Sequence, residues 1–217
     1  MIDNKDQFSL FQHRVTPYKH QLDMLPIMVE QEYYALFWEM GTGKSKTLLD
    51  NAAILFKEGK IDGLMIVAPK GAYLNWIFNE IPKHMSDTVD YYMAFWSAQM
   101  RKTEAQKASG VLRPEPGVLD IVCMNIEAFS CTSGRQYAEA FMARHKVLMC
   151  IDESTSIKNV KAMRTKFALQ LGRLAKYRRI MTGSPITQSP LDLYSQCAFL
   201  KPGVLGHSSF FSFRNYY

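Results

Sequence analysis

The residues best suited to chemistry are Gly41-Thr42-Gly43-Lys44-Ser45 and, far downstream, Asp152-Glu153. Glycines let a backbone curl tightly, so that its N–H groups and the start of a following helix converge on one anionic site. At such a site Lys44 is placed to neutralise the β- and γ-phosphates of a nucleotide, and the Ser45 hydroxyl to ligate Mg²⁺. Met40 and Lys46 flank the loop and are expected to line the same site. The strict phosphate-loop pattern also asks for glycine at position 38, where this chain has Trp38. The second element, Val147-Leu148-Met149-Cys150-Ile151-Asp152-Glu153, is an apolar run that ends in two acids. A buried strand of this kind delivers carboxylates to its C-terminal edge, which is where open α/β sheets bind ligands. Asp152 is then a second Mg²⁺ candidate, and Glu153 a base or orienting group for an attacking water. Together the two elements supply both halves of a nucleotide hydrolysis site.

These residues need a scaffold that alternates strands and helices. Strands are predicted at residues 34–38, 64–67, 91–96, 118–123, 147–151 and 178–181. Helices are predicted at 44–57, around Tyr73 to Ile81 with Pro82 ending it, and at 100–108, 136–145, 163–175 and 191–200. The apolar runs are near-continuous rather than alternating, which fits strands buried on both faces of a mostly parallel sheet. The expected architecture is one α/β domain over residues 1–217. Arg173, Lys176, Arg178 and Arg179 form a basic run that could extend a phosphate-binding surface, though the expectation for such a run is a solvated face.

The motifs resemble those of the first RecA-like motor domain of superfamily-two helicases, most closely the Swi/Snf-like translocases of double-stranded DNA. Glu39-Met40-Gly41-Thr42-Gly43-Lys44-Ser45 is similar to their first motif, which also lacks the leading glycine and so accounts for Trp38. Asp152-Glu153-Ser154-Thr155-Ser156-Ile157-Lys158-Asn159 resembles the DEAH-type box with its following Lys-Asn. Thr182-Gly183-Ser184-Pro185 resembles the third motif, and Ile66-Val67-Ala68-Pro69-Lys70 the motif called Ia, ahead of a helix with Trp76. Tyr18-Lys19-His20-Gln21 looks like the upstream glutamine motif. The matches run in family order from about Thr16 to Phe213. The box carries Ser154-Thr155 where the family usually has Ala-His, and that histidine normally links the nucleotide site to the third motif.

The resemblance implies ATP and Mg²⁺ as cofactors and DNA as partner, duplex before single strand. It also implies a second RecA-like domain, expected outside this chain, that supplies arginine fingers. Gln21 is implied to read the adenine edge, a task suited to an amide; a surface helix position is its alternative. Thr155, Thr182, Gly183 and Ser184 are implied to couple the γ-phosphate site to DNA contacts, with a helix N-cap at Ser184-Pro185 as a compatible local role. Pro69, Lys70, Lys158 and Asn159 are implied nucleic-acid contacts, and either lysine could instead be solvated. The second functional class considered is a nucleotide-gated nucleic-acid-binding module with little ATPase activity, for which Thr155 is the sequence support. A kinase or switch GTPase is set aside, because neither predicts the Thr182-Gly183-Ser184-Pro185 motif and no guanine-reading Asn-Lys-x-Asp is present.

Composition agrees with this reading. With 217 residues, 47% hydrophobic and 21% charged, the chain is a folded globular protein rather than a disordered one. The 26 Lys and Arg against 20 Asp and Glu leave +6, a balance that favours polyanions such as nucleic acid and equally fits ordinary solubility charge. The longest apolar stretches are far short of the roughly 20 residues of a membrane span, and Met1 to Asp6 lack the signal-peptide pattern. The expected location is cytoplasmic, or the nucleoid or nucleus. Cys123, Cys131, Cys150 and Cys197 show no metal-ligand spacing and are expected to be free thiols. The aromatic Phe210-to-Tyr217 segment is expected to need a partner, as in a chain cut from a longer protein.

Overall fold

The computed structural model describes residues 11–217; the Met1–Asp6 segment lies outside them. Six strands form one sheet: β1 (Tyr33–Leu36), β2 (Gly63–Ala68), β3 (Tyr91–Trp96), β4 (Leu119–Asn125), β5 (Val147–Asp152) and β6 (Tyr177–Met181). They lie in the order β1-β6-β5-β2-β4-β3, and every pairing is parallel. The expectation of a mostly parallel sheet is therefore met in its strictest form.

Side-chain parity explains the continuous apolar runs. Leu64, Ile66, Leu148, Cys150, Tyr177 and Met181 enter one core layer. Their alternating neighbours Met65, Val67, Met149, Ile151 and Ile180 enter the other. The first layer is covered by α1 (Lys19–Glu30), α2 (Lys44–Lys57) and α3 (73–84), and the second by α4 (Lys102–Gly110), α5 (Thr132–Met142), α6 (Met163–Gly172) and α7 (Leu193–Leu200). A last helix, α8 (Phe210–Tyr216), ends the described chain. Among the described residues no helix is long and apolar enough to cross a membrane. All four cysteines are free, and complete burial pushes the thiols of Cys123 and Cys150 up.

Three departures from the sequence reading bear on the site. Strand β1 ends at Leu36, two residues before the predicted end, level with Met181 of β6, so Phe37 and Trp38 already belong to the phosphate loop. Helix α3 does not end at Pro82. It runs from Tyr73–Asn75 through a π-helical turn, Trp76–Glu80, into Ile81–His84. In the π turn the Ile81 N–H donates to the Trp76 carbonyl, five residues back. The widened turn lets the proline, with its missing N–H, sit inside the helix rather than break it.

The basic run is the third departure. Arg178 and Arg179 belong to a fully buried strand rather than a solvated face. Arg178 lies 4.3 Å over the Tyr33 ring. Arg179, 0% exposed, donates to Asn51 Oδ1 (3.1 Å) and to the carbonyls of Met28, Gln31 (3.0 Å), Glu32 (2.9 Å) and Arg178 (2.8 Å). Its guanidinium thus caps the C-terminus of α1, whose last carbonyls have no partner within the helix. Burial lowers its pKa to about 10, so it remains a cation at neutral pH.

Candidate functional site

The sheet brings the chemistry to one edge. Leu36, Met181 and Asp152 are in register at the ends of β1, β6 and β5. The phosphate loop, the third segment and the acidic box therefore leave the sheet at the same level, as the strand-end rule for open sheets requires. Pro69 and Lys70 leave the end of β2, beyond β5 in the strand order, with Lys70 exposed.

The phosphate loop has the predicted backbone. Gly41 and Gly43 sit at φ +79° and +82°, where a side chain is strained, and Gly43 is the N-cap of α2. Gly43 has a second constraint, because a Cβ there would lie 2.1 Å from Gln21 Nε2. The loop folds over Lys44, whose ammonium donates to the carbonyls of Trp38 (2.9 Å) and Glu39 (3.0 Å). Thr42 Oγ1 donates to the Glu39 carbonyl at 2.7 Å and closes the turn. Trp38 thus contributes its carbonyl, while its ring meets His20 edge-on at 5.3 Å.

Gln21 is not a surface residue. It is 1% exposed, and its amide bonds the loop from below: Nε2 donates to the carbonyls of Thr42 (3.2 Å) and Gly43 (3.3 Å), while Oε1 accepts from the Tyr18 N–H (2.8 Å). Any ligand reaching this amide must exchange these bonds. Gln21, Gly41, Gly43, Lys44, Ser45 and Lys46 share a cavity of about 540 Å³. The Lys46 ammonium itself is 2.6 Å from the buried Asp50 carboxylate, a pair within α2, so what Lys46 offers a ligand is its backbone at the start of the helix.

The acidic box is shaped by parity. Asp152 follows Leu148 and Cys150 on the face packed by α3, and there Trp76 Nε1 donates to Asp152 Oδ2 at 2.9 Å. Asp152 Oδ1 accepts from the Glu153 N–H at 3.0 Å. Burial pushes the Asp152 carboxyl above its ordinary range; the Trp76 and Glu153 N–H groups and Lys44 oppose this, and the Glu153 charge adds to it. Glu153 has φ +48°, the one non-glycine residue with positive φ among the described residues. Such left-handed geometry is a strain that persists only when surroundings hold it. Here Glu153 Oε2 accepts from Thr182 Oγ1 at 3.0 Å, so the box touches the third segment directly. Thr182 Oγ1 in turn accepts from the Ser184 N–H (3.2 Å).

Met40, Glu153, Thr155, Thr182, Gly183 and Ser184 line a second, open cleft of about 590 Å³. Ser184-Pro185 does not cap a helix; the next helical turn is Pro190–Asp192, with Ser189 before it. The polar bridge from the back of the box leads from Ser154 rather than Thr155: Ser154 Oγ donates to Gln196 Oε1 (2.6 Å). Lys158 is tied to Thr187 Oγ1 and to Asp192 Oδ2 (3.5 Å), and Asn159 Oδ1 accepts the Lys161 N–H (3.0 Å). These two nucleic-acid candidates therefore have local partners and lie outside the two concavities. Trp76 and Ser154 entered the sequence reading only as parts of motifs, and neither Asp192 nor Gln196 was given a role in it.

The chain matches the SNF2-related domain over residues 20–216, nearly its whole length. It belongs to the SNF2-related domain family. It is 28% identical over 174 residues to Helicase ssl-1 of Caenorhabditis elegans, covering 79% of this chain and 7% of that protein. To the uncharacterized ATP-dependent helicase YqhH of Bacillus subtilis it is 26% identical over 200 residues, covering 90% of this chain and 31% of that one. This SNF2-related chain thus spans only a small part of such relatives. Its fold is similar to the SWI2/SNF2 ATPase core of Sulfolobus solfataricus, solved with double-stranded DNA, with TM-score 0.70 and 20% identity over 94% of this chain and 39% of that one. It is also similar to the UvsW helicase of bacteriophage T4, with TM-score 0.63 and 11% identity over 90% of this chain and 63% of that one. This chain shares its RecA-like fold with these solved structures.

Proposed function

We propose that this chain is the first RecA-like lobe of an ATP-dependent DNA translocase, acting on duplex DNA together with a second lobe. The observation that carries this reading is the Glu153–Thr182 hydrogen bond, which joins the box beside the phosphate loop to the third segment. The residues fit an ATP–Mg²⁺ complex. Nothing lies within 4 Å of the place a Cβ on Gly41 would take, and Lys44 is held at the loop by neutral carbonyls that a phosphate could replace. Ser45 and Asp152 are hard oxygen donors, and two protein ligands suit Mg²⁺, which keeps waters and phosphate oxygens in its shell. When bound, Mg²⁺ would neutralise charge developing on the phosphates.

Within this frame the α2 N-terminus and loop N–H groups receive the phosphates, and Lys44 turns from Trp38 and Glu39 toward them. Glu153 orients a water and takes its proton at a carboxylate oxygen, releasing Thr182 as it does so. The third segment would then sense the nucleotide through that bond. Hydrolysis by this lobe alone is slow, since the family's arginine fingers come from the second lobe.

Calorimetric titration with ATP and ADP in Mg²⁺, beside Lys44→Ala, tests the site. Binding by the wild type that falls at least tenfold in the variant is expected. A polypeptide carrying both lobes should then hydrolyse ATP faster with duplex DNA, and Glu153→Gln should bind nucleotide but not turn it over. Absence of binding in both one-lobe and two-lobe forms would refute the reading.

A further inference from the structure

We infer that Gln196 is a positioning residue that couples the acidic box to the third segment, through the bridge Ser154–Gln196–Pro185. This rests on the proposed ATP–Mg²⁺ site. Gln196 lies on α7 and is 0% exposed, as is Ser154. Its amide is fully engaged. Oε1 accepts from Ser154 Oγ at 2.6 Å, and Nε2 donates to the carbonyls of Pro185 (2.8 Å) and Asp192 (2.7 Å). One side chain therefore grips the turn after Glu153, the loop after Ser184 and the start of its own helix. A helix packed only for stability would place an apolar residue here, because a buried amide is tolerated only when its partners are all present.

The bridge stands behind the strained residue. Glu153 meets Thr182 on the cleft side, and Ser154, the next residue, meets Gln196 on the buried side. When Glu153 turns to a water, its bond to Thr182 is exchanged, while the Ser154–Gln196 bond is shielded from solvent and stays. Relaxation of the left-handed Glu153 backbone then displaces Ser154, and Gln196 carries that displacement to Pro185. Two neighbouring bonds keep the rest of the contact fixed: Ser195 Oγ donates to the Ile157 carbonyl (2.6 Å), and Lys158 reaches Asp192.

The test is hydrogen exchange of the segment 182–192 in this chain, with and without ATP–Mg²⁺, alongside calorimetry. In the wild type, nucleotide should change exchange in 182–192. Ser154→Ala and Gln196→Met should each keep ATP affinity within about threefold yet lose most of that change. The double variant should lose no more than either single one, because both cut the same bridge. Ser154→Ala removes a single oxygen and stands in if Gln196→Met folds poorly. If 182–192 responds to nucleotide in both variants as in the wild type, Gln196 is a structural residue only and the inference falls, whatever its effect on thermal stability. A response lost in Gln196→Met but kept in Ser154→Ala also overturns it, since the bridge must pass through both. Wild-type protein that binds no nucleotide, alone or with a second lobe, removes the site itself and this inference with it.

Discussion

Replacing Trp76 with phenylalanine tests the acidic box through an atom that never touches nucleotide. The change keeps an aromatic ring in a site that is 2% exposed and removes one donor, the N–H 2.9 Å from Asp152 Oδ2. A hydrogen bond to a charged group contributes about 1.5–3 kcal/mol, and tenfold in affinity is about 1.4 kcal/mol. If Asp152 holds Mg²⁺, the loss should weaken Mg²⁺-dependent ATP binding by about 10- to 100-fold, the range typical for partners that orient metal ligands. The pH dependence gives the sign. Burial already pushes the Asp152 carboxyl up, and the Trp76 N–H opposes this by favouring the ionised form. Without it the carboxyl moves further up, so the defect should be largest on the acid side of neutrality and shrink as pH rises. The assay is a Mg²⁺ titration of ATP binding at several pH values, with thermal unfolding to register any repacking. An unchanged Mg²⁺ requirement at every pH would refute the reasoning.

Three further outcomes are expected. Arg179→Leu should destabilise the fold by about 3 kcal/mol or more, a fall of about 6–12 °C in Tm, because it removes the cap on α1; Arg179→Lys should recover only part, since an ammonium lacks the planar fork. Thermal unfolding checks both, and a loss under about 1 kcal/mol would argue against the clamp. Gly43→Ala should destabilise by about 2 kcal/mol, from left-handed strain and displacement of the Gln21 amide, and should weaken ATP binding in calorimetry. Asp192 gives the third. Burial alone would raise its carboxyl, but the Thr187 hydroxyl, the Thr187 and Gln188 N–H groups and Lys158 lower it from 3.8 to about 2. A lowered value stabilises the fold above the unfolded pKa and is lost as pH falls toward 2. Wild-type Tm should therefore drop more steeply than that of Asp192→Asn between about pH 4 and 2, and parallel curves would sink the idea.

The sheet was legible because buried parallel strands are short unbroken apolar runs, and all six were found. Their ends were less legible. Phe37-Trp38 continues the apolar pattern of β1, yet the chain leaves the sheet so that the Trp38 and Glu39 carbonyls can hold Lys44. Helix α1 was not predicted; its interior Pro26 reads as a breaker in sequence. Pro82 misled for the same local reason. The phosphate loop and the Asp-Glu pair were visible because their chemistry sits in contiguous residues. Ser154 and Gln196 lie 42 positions apart, and Trp76 and Asp152 lie 76 apart. Nothing in one sequence marks such partners. Arg179 reads as surface charge until strand parity aims it at the end of a helix.

That arginine also links motions that look independent. Strand β6 and the residue after it bear two attachments: Arg179 grips the last turn of α1, and Thr182, three positions later, meets Glu153. Three residues of extended chain span about 10 Å. The wall beneath the phosphate loop and the wall beside the acidic box are therefore geared together by one short, stiff rod. A push delivered to either is shared by both.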